Sequence, residues 1–418
     1  MIRMKKLPIG KTKLVCYYMY LAAASVFILP PMLFNTFQEM YGISYTLLGT
    51  LVVVNFITQL SVDLIFSFFS RFFNIHKTLR ITPLLTAVGL GIYALVPTLF
   101  PQHAYLGLVI GTVIFSVAAG LGEVLISPTV AALPSDNPAK DMSTLHSLYG
   151  YGFVSVVVIS TIFLQVFGNT NWMYLVGFFA ILPLIASGLM SFAILPDMDI
   201  SHAKENTPSA RKRTVAIFLC MMCIFLGSCA ENSMTNWISV YTETALNIPK
   251  ALGDLLGMCS FAILLSLTRT FYAKYGRNIS RVLLLGMAGA TVLYLTVAFC
   301  PNAIISLIAC VLVGLCTSML WPGTLILMEE KIPAVGVAAY ALMAAGGDFG
   351  ASVAPQLLGL ITDSVSASPW ALEMSASLMM APEQLGMKVG MLVAALFPLL
   401  GTFLLLGMRR FFRRNPVL

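Results

Sequence analysis

A bundle of twelve membrane-spanning helices, built as two similar sets of six, is the fold this sequence predicts. Three observations predict it. Side chains are 59% hydrophobic and only 10% charged, with a mean hydropathy of +0.91, whereas a water-facing domain carries roughly 25% charged residues. The apolar runs are long, unbroken and frequent, and a spanning helix needs about 20 such residues. Basic residues fall almost wholly into every second connection between those runs. A soluble enzyme, a nucleic-acid binder and a secreted disulfide scaffold are excluded by the charge deficit. Disorder is excluded by 27 Phe and 15 Tyr, which do not stay solvated. A transmembrane barrel requires alternating segments of about ten residues, which are not found here.

In chain order the apolar runs fall at 14–38, 44–70, 81–100, 105–133, 142–167, 172–195, 214–242, 251–273, 281–300, 303–328, 334–362 and 388–408. The first follows five basic residues, as a secretory signal does, but it is too long, contains Pro30-Pro31 and precedes eleven more spans. It reads as a first transmembrane helix. The N-terminus, the even-to-odd connections and the C-terminus together hold 21 of the 24 Lys and Arg residues. Only Lys250 and Lys388 fall on the opposite side, and Arg269 lies within a span. By the positive-inside rule both termini are cytoplasmic. The net charge of +7 is then a topology signal and gives no reason to expect nucleic acid.

The polar stretch 196–213, with its Arg211-Lys212-Arg213 run, reads as a cytoplasmic linker. It separates an N-terminal six-helix bundle over 1–195 from a C-terminal one over 214–418. The halves also resemble each other. "YGISYTLLGTLVVV" at 41–54 aligns with "LNIPKALGDLLGMC" at 246–259, and "SPTVAAL" at 127–133 with "WPGTLIL" at 321–327, which sets Pro128 against Pro322. Duplicated six-helix halves are a transporter architecture, with the binding site near the midplane.

Ionisable groups inside spans cost at least ~2.5–3.5 kcal/mol on insertion scales, so each is a functional candidate. On span four, Thr112, Ser116, Gly120, Glu123 and Ser127 form one small-and-polar stripe. Glu123, placed somewhat to the cytoplasmic side of the midplane, is the candidate proton carrier. His146, in the first turns of span five at a similar depth, is its candidate partner. Span seven reads "GSCAENSMTNWISVYTE". Its Glu231, Asn232 and Asn236, beside Trp237 and Tyr241, offer hydroxyl-binding groups next to an aromatic plate, a set suited to a carbohydrate. Trp321 on span ten is a candidate second stacking surface. Tyr149, in the "LHSLYGYG" of span five with His146, is a further candidate for substrate binding. Asn55, Gln59 and Asp63 repeat every four residues on span two, as Asp348, Ser352 and Gln356 do on span eleven. Asp63, Arg269 and Asp348 are candidates for gating. The eight cysteines are scattered, and the histidines outside span five lie far apart in connections. No metal site, cofactor site or enzymatic motif is expected.

The six-plus-six plan resembles the major facilitator superfamily. Within it, "GLGEVLISPTVAALP", "LHSLYGYG", "AENSMTNWISVY" and "WPGTLILMEE" resemble the fucose–glucose–galactose:proton symporter family. The resemblance implies that Glu123 carries protons and contributes to substrate binding, that His146 contacts sugar, and that Glu231 and Trp237 form an acid–tryptophan pair six residues apart. The family's span-one aspartate has no counterpart, since no acid lies between Lys13 and Glu39. The loop between spans two and three, "SFFSRFFNIHKTLR", lacks the superfamily's glycine and aspartate. The expectation is a monomeric transporter of the cytoplasmic (inner) membrane that moves a sugar or polyol with protons. Sodium coupling, export of amphipathic compounds and, at the margin, a non-transporting scaffold or sensor are the alternatives.

Overall fold

The computed structural model describes residues 9–43, 45–197, 208–333, 335–378 and 380–415. Among them are twelve helices long and apolar enough to cross a membrane. We number these as spans one to twelve: Lys11–Pro30, Thr50–Phe72, Ile75–Leu99, Pro101–Ala132, Pro138–Phe167, Asn169–Phe192, Arg211–Ile238, Leu255–Tyr275, Ile279–Phe299, Ala303–Lys331, Val337–Ser366 and Pro382–Arg414. Much of the 196–213 linker, residues 198–207, lies outside the described residues, as do Arg3, Lys5 and Lys6.

Helix starts differ from the apolar runs for a physical reason. Span three begins at Ile75, six residues before its apolar run, because Asn74 caps it and accepts from the Lys77 N–H. Asn137 does the same for span five, with Pro138 in the first turn. Asparagine caps satisfy orphan N–H groups before the apolar pattern begins. Hydropathy therefore places the membrane segment, while the caps place the helix. Span seven belongs to a 37-residue helix, Pro208–Thr244. Between spans eleven and twelve lies a further short helix, Pro369–Leu378.

The chain divides into two compact units, Met1–His202 with Val335–Ala345, and Ala203–Ala334 with Gly346–Leu418. In the first six spans, three packs on four and six, one on five, and two on four. In the second six, nine packs on ten and twelve, and eight on ten. Span eleven packs on seven, since a Cβ at Gly350 would lie 2.5 Å from the Phe225 carbonyl oxygen. The same neighbour pairs recur six spans later, so the sequence repeat is a structural repeat.

Prolines set the irregularities. A helical proline removes the N–H that the carbonyl four residues earlier needs. Pro322 deprives Ser318, and span ten is interrupted at Ser318–Met319, between helices Ala303–Thr317 and Leu320–Lys331. Pro398 deprives Ala394, and span twelve breaks at Ala395. The Pro30-Pro31 pair ends the first helix at Met32, and a short helix, Phe34–Tyr41, follows. Span four instead runs unbroken through Pro128.

Candidate functional site

In the first unit, the small-and-polar stripe of span four lies largely against span two. Ser116 Oγ donates to Asn55 Oδ1 at 2.5 Å, and Gln59 Nε2 donates to the same oxygen at 3.0 Å. A Cβ at Gly120 would lie 3.1 Å from the Val62 Cβ and 3.4 Å from the Gln59 Cα. The glycine lets the two helices approach, and the polar groups tie them together. Gln59 Oε1 and Thr112 Oγ1 are buried in this seam without a hydrogen-bond partner among the described residues. Glu123, lower on the stripe, is half-buried. Asp63 is fully buried on span two.

His146 is buried on span five. Its Nδ1 lies 3.4 Å from the hydroxyl of Tyr20 on span one. The two rings meet edge to face at 5.0 Å. Tyr149 closes the group, with edge contacts to Tyr20 and Phe27. Tyr20 is therefore the neighbour of both span-five candidates. Sequence reasoning missed it because a tyrosine in "CYYMY" carries no charge signal. Also missed was a cluster where spans one and five begin. Lys13 Nζ pairs with Asp141, whose carboxylate also accepts from Tyr17 Oη at 3.1 Å and Ser135 Oγ at 2.5 Å.

In the second unit, two candidates given separate roles turn out to be one group. Arg269 of span eight, 4% exposed, pairs with Glu231 of span seven, 21% exposed. One guanidinium nitrogen, Nη2, lies 3.3 Å from both carboxylate oxygens. Nε, on the same edge of the guanidinium, donates to the Ser318 carbonyl at 2.7 Å. This arginine joins spans seven, eight and ten.

The rest of span seven's polar face is held by its own helix and its neighbours. Asn232 is half-buried, and its amide N–H groups donate to Ser228 O and Oγ, both at 3.1 Å. Asn236 is exposed and donates to Asn232 O at 2.9 Å. The Asn232 amide nitrogen thus uses both of its N–H groups inside span seven and that of Asn236 uses one of its two, while both amide oxygens stay available as acceptors. Ser228 in turn donates to Gly347 O of span eleven at 2.6 Å. Trp237 donates its indole N–H to Pro355 O at 3.0 Å, so its ring is anchored to span eleven. Trp321 lies on bare backbone, because a Cβ at Gly347 would come within 2.1 Å of its ring. Only glycine there admits the indole. Asp348, the next residue, is buried.

Tyr241 is placed differently from its neighbours on span seven. It is fully buried, and its hydroxyl donates to Val297 O of span nine at 2.7 Å. Tyr294 returns the tie, donating to Ala230 O at 2.6 Å. These two tyrosines cross-brace spans seven and nine.

Twelve apolar spans in two like-built sets of six, with carboxylates, amides and an arginine inside them, define a multi-pass membrane transporter. A family model described as Major Facilitator Superfamily matches residues 16–355, and the chain belongs to that superfamily. Among solved structures it is similar to a major facilitator superfamily transporter, FucP, in the outward conformation, with a TM-score of 0.71 at 14% identity over 94% of this chain and 99% of that one. A single-substitution variant of the E. coli fucose:proton symporter gives 0.68 at 13%, covering 93% and 98%. A proton:xylose symporter, XylE, bound to 6-bromo-6-deoxy-D-glucose gives 0.70 at 14%, covering 93% and 94%. No curated protein matches the sequence.

Proposed function

We propose that the protein moves a sugar or polyol across the cytoplasmic (inner) membrane by alternating access, in symport with protons. It acts as a monomer with both termini cytoplasmic. The observation that carries the reading is the face of span seven. Glu231, Asn232 and Asn236 place carboxylate and amide groups there, acceptors together with the second Asn236 N–H, and the anchored Trp237 ring stands beside them. A polyhydroxylated solute donates hydrogen bonds and offers C–H faces for stacking, and this face answers both needs. Trp321, set on Gly347, is a second stacking surface. The structural neighbours, fucose:proton and proton:xylose symporters, agree with the reading in kind.

In this reading Glu123 is the proton carrier, and His146, held by Tyr20, sits in the same half to tune it. Tyr149 lines the solute path beside them. Tyr241, by contrast, serves as a brace for span seven and lies outside the binding face. Asp63 and Asp348 act on the balance between inward-open and outward-open states. Arg269 belongs with Glu231, as their ion pair indicates.

The test is solute-driven alkalinisation by protein reconstituted into liposomes, after a thermal-shift screen against a sugar library. A bound ligand raises apparent stability by mass action. Wild type should take up protons with its sugar. Glu123→Gln, fixed in a neutral form, should lose proton uptake and retain solute exchange. Full alkalinisation in this variant would overturn the assignment of Glu123. Stabilisation by amphipathic cations and by no sugar would move the function to export.

A further inference from the structure

The interruption of span ten has an occupant that neither the fold nor the proposed function assigns. In a continuous helix the Ser318 carbonyl accepts from the N–H of residue 322. That residue is proline, so the donor does not exist. A buried carbonyl left without a donor bears the full cost of its lost hydration. Ser318 is fully buried. The Nε of Arg269, on another span, sits 2.7 Å from this oxygen. Arg269 is itself fixed by Glu231 through the adjacent Nη2. Between Ser318 and Pro322, on the turn that this contact governs, stands Trp321, whose indole lies on Gly347.

We infer that Arg269 is a positioning residue for Trp321: it supplies the hydrogen-bond donor that Pro322 removes from Ser318, and Glu231 holds it in place to do so. The side-chain donor fixes the turn 318–322, and that turn sets the angle at which the indole meets span eleven. Lysine is a poor substitute, because its single ammonium does not present two N–H groups along one planar edge to a carbonyl and a carboxylate at once. Trp321's use as a solute surface rests on the proposed function. Its positioning by Arg269 does not.

The experiment keeps the two apart. The chain has four tryptophans. In protein labelled with 5-fluorotryptophan, the Trp321 resonance is the one lost in Trp321→Phe. Arg269→Gln should shift or broaden that resonance, and Arg269→Lys should not restore it. Adding Pro322→Ala to Arg269→Gln should bring it back toward the wild-type position, because residue 322 then has an N–H for Ser318. An unmoved Trp321 resonance in Arg269→Gln overturns the inference. So does an Arg269→Gln/Pro322→Ala protein that stays as displaced as Arg269→Gln alone. If Arg269→Gln does not fold, Glu231→Gln/Arg269→Gln leaves no charge unpaired and carries the same comparison. On the same samples, KM for the solute should rise with the displacement while kcat holds. A displaced resonance with unchanged KM would leave the positioning role standing and remove Trp321 from solute recognition.

Discussion

Pro128 and Pro322 occupy matching places in the two halves, yet span four runs through the first as one helix and span ten breaks before the second. The prolines are chemically the same, so the difference lies in what surrounds the carbonyl each one deprives. For Pro322 that carbonyl is Ser318, and an arginine from span eight reaches it. For Pro128 it is Val124, and span two, which packs on span four as span eight packs on ten, has no basic residue between 50 and 70. A proline in a membrane helix licenses a break, and a donor on the neighbouring helix stabilises it. The halves share a scaffold and divide the chemistry. The first ties spans two and four by neutral hydrogen bonds along Asn55, Gln59 and Ser116 and keeps its ion pair, Lys13–Asp141, where spans one and five begin. The second sets an ion pair between spans seven and eight around a buried arginine.

The largest test of this contrast is stability. Removing one partner of a buried pair leaves the other charge stranded, at about 3 kcal/mol or more. Arg269→Gln should therefore lower the melting temperature sharply in a detergent where Glu123→Gln, an uncharged replacement on a half-buried site, barely moves it. Equal losses in the two variants would mean that the halves do not differ in this way. Recognition comes next. Asn232→Ala should weaken sugar binding by about 1–3 kcal/mol, the cost of an unsatisfied polar partner. Titration calorimetry against the parent sugar and its deoxy analogues measures this, and an unchanged affinity would return Asn232 to a packing role within span seven.

A smaller effect probes the first half. Tyr20→Phe keeps the ring against His146 and removes one hydroxyl, worth about 0.5–1.5 kcal/mol. Melting should fall slightly, while the pH profile of transport shifts if the hydroxyl tunes His146. A profile that superimposes on wild type would limit Tyr20 to packing. Smallest of all, Asp141→Asn should cost about 1 kcal/mol or less, because its pair with Lys13 is partly open to solvent. Raising the salt concentration should narrow the gap between this variant and wild type, and a gap independent of salt would point to the Tyr17 and Ser135 hydrogen bonds instead.

Much of the fold is legible in the sequence because lipid imposes simple rules. Twelve spans follow from composition and run length, and the two-fold plan follows from segments such as 41–54 and 246–259. Pairings inside the bundle are harder. Glu231 and Arg269 are 38 positions apart on different spans, and nothing in a linear reading sets their depths and rotations together. A reading by single residues therefore gives each its own role. Tyr241 reads as part of the binding face beside Trp237, but its hydroxyl reaches Val297 and the residue lies in the core. One further signal does lie in the sequence. The rule that a proline orphans the carbonyl four residues earlier points from Pro322 straight to Ser318, and a buried acceptor implies a donor somewhere.

Lys13 belongs to two stages in the life of the chain. Orientation is decided as helices enter the bilayer, before spans one and five have met, and in the proposed topology Lys13 is then one of the free positive charges that hold the N-terminus on the cytoplasmic side. Once the helices assemble, the same ammonium is bound to Asp141, with Tyr17 and Ser135 on the other lone pairs of that carboxylate. A charge used first as an address thus ends as a fastener. Its neutralisation late in assembly leaves the topology intact, because by then the decision it served has already been made.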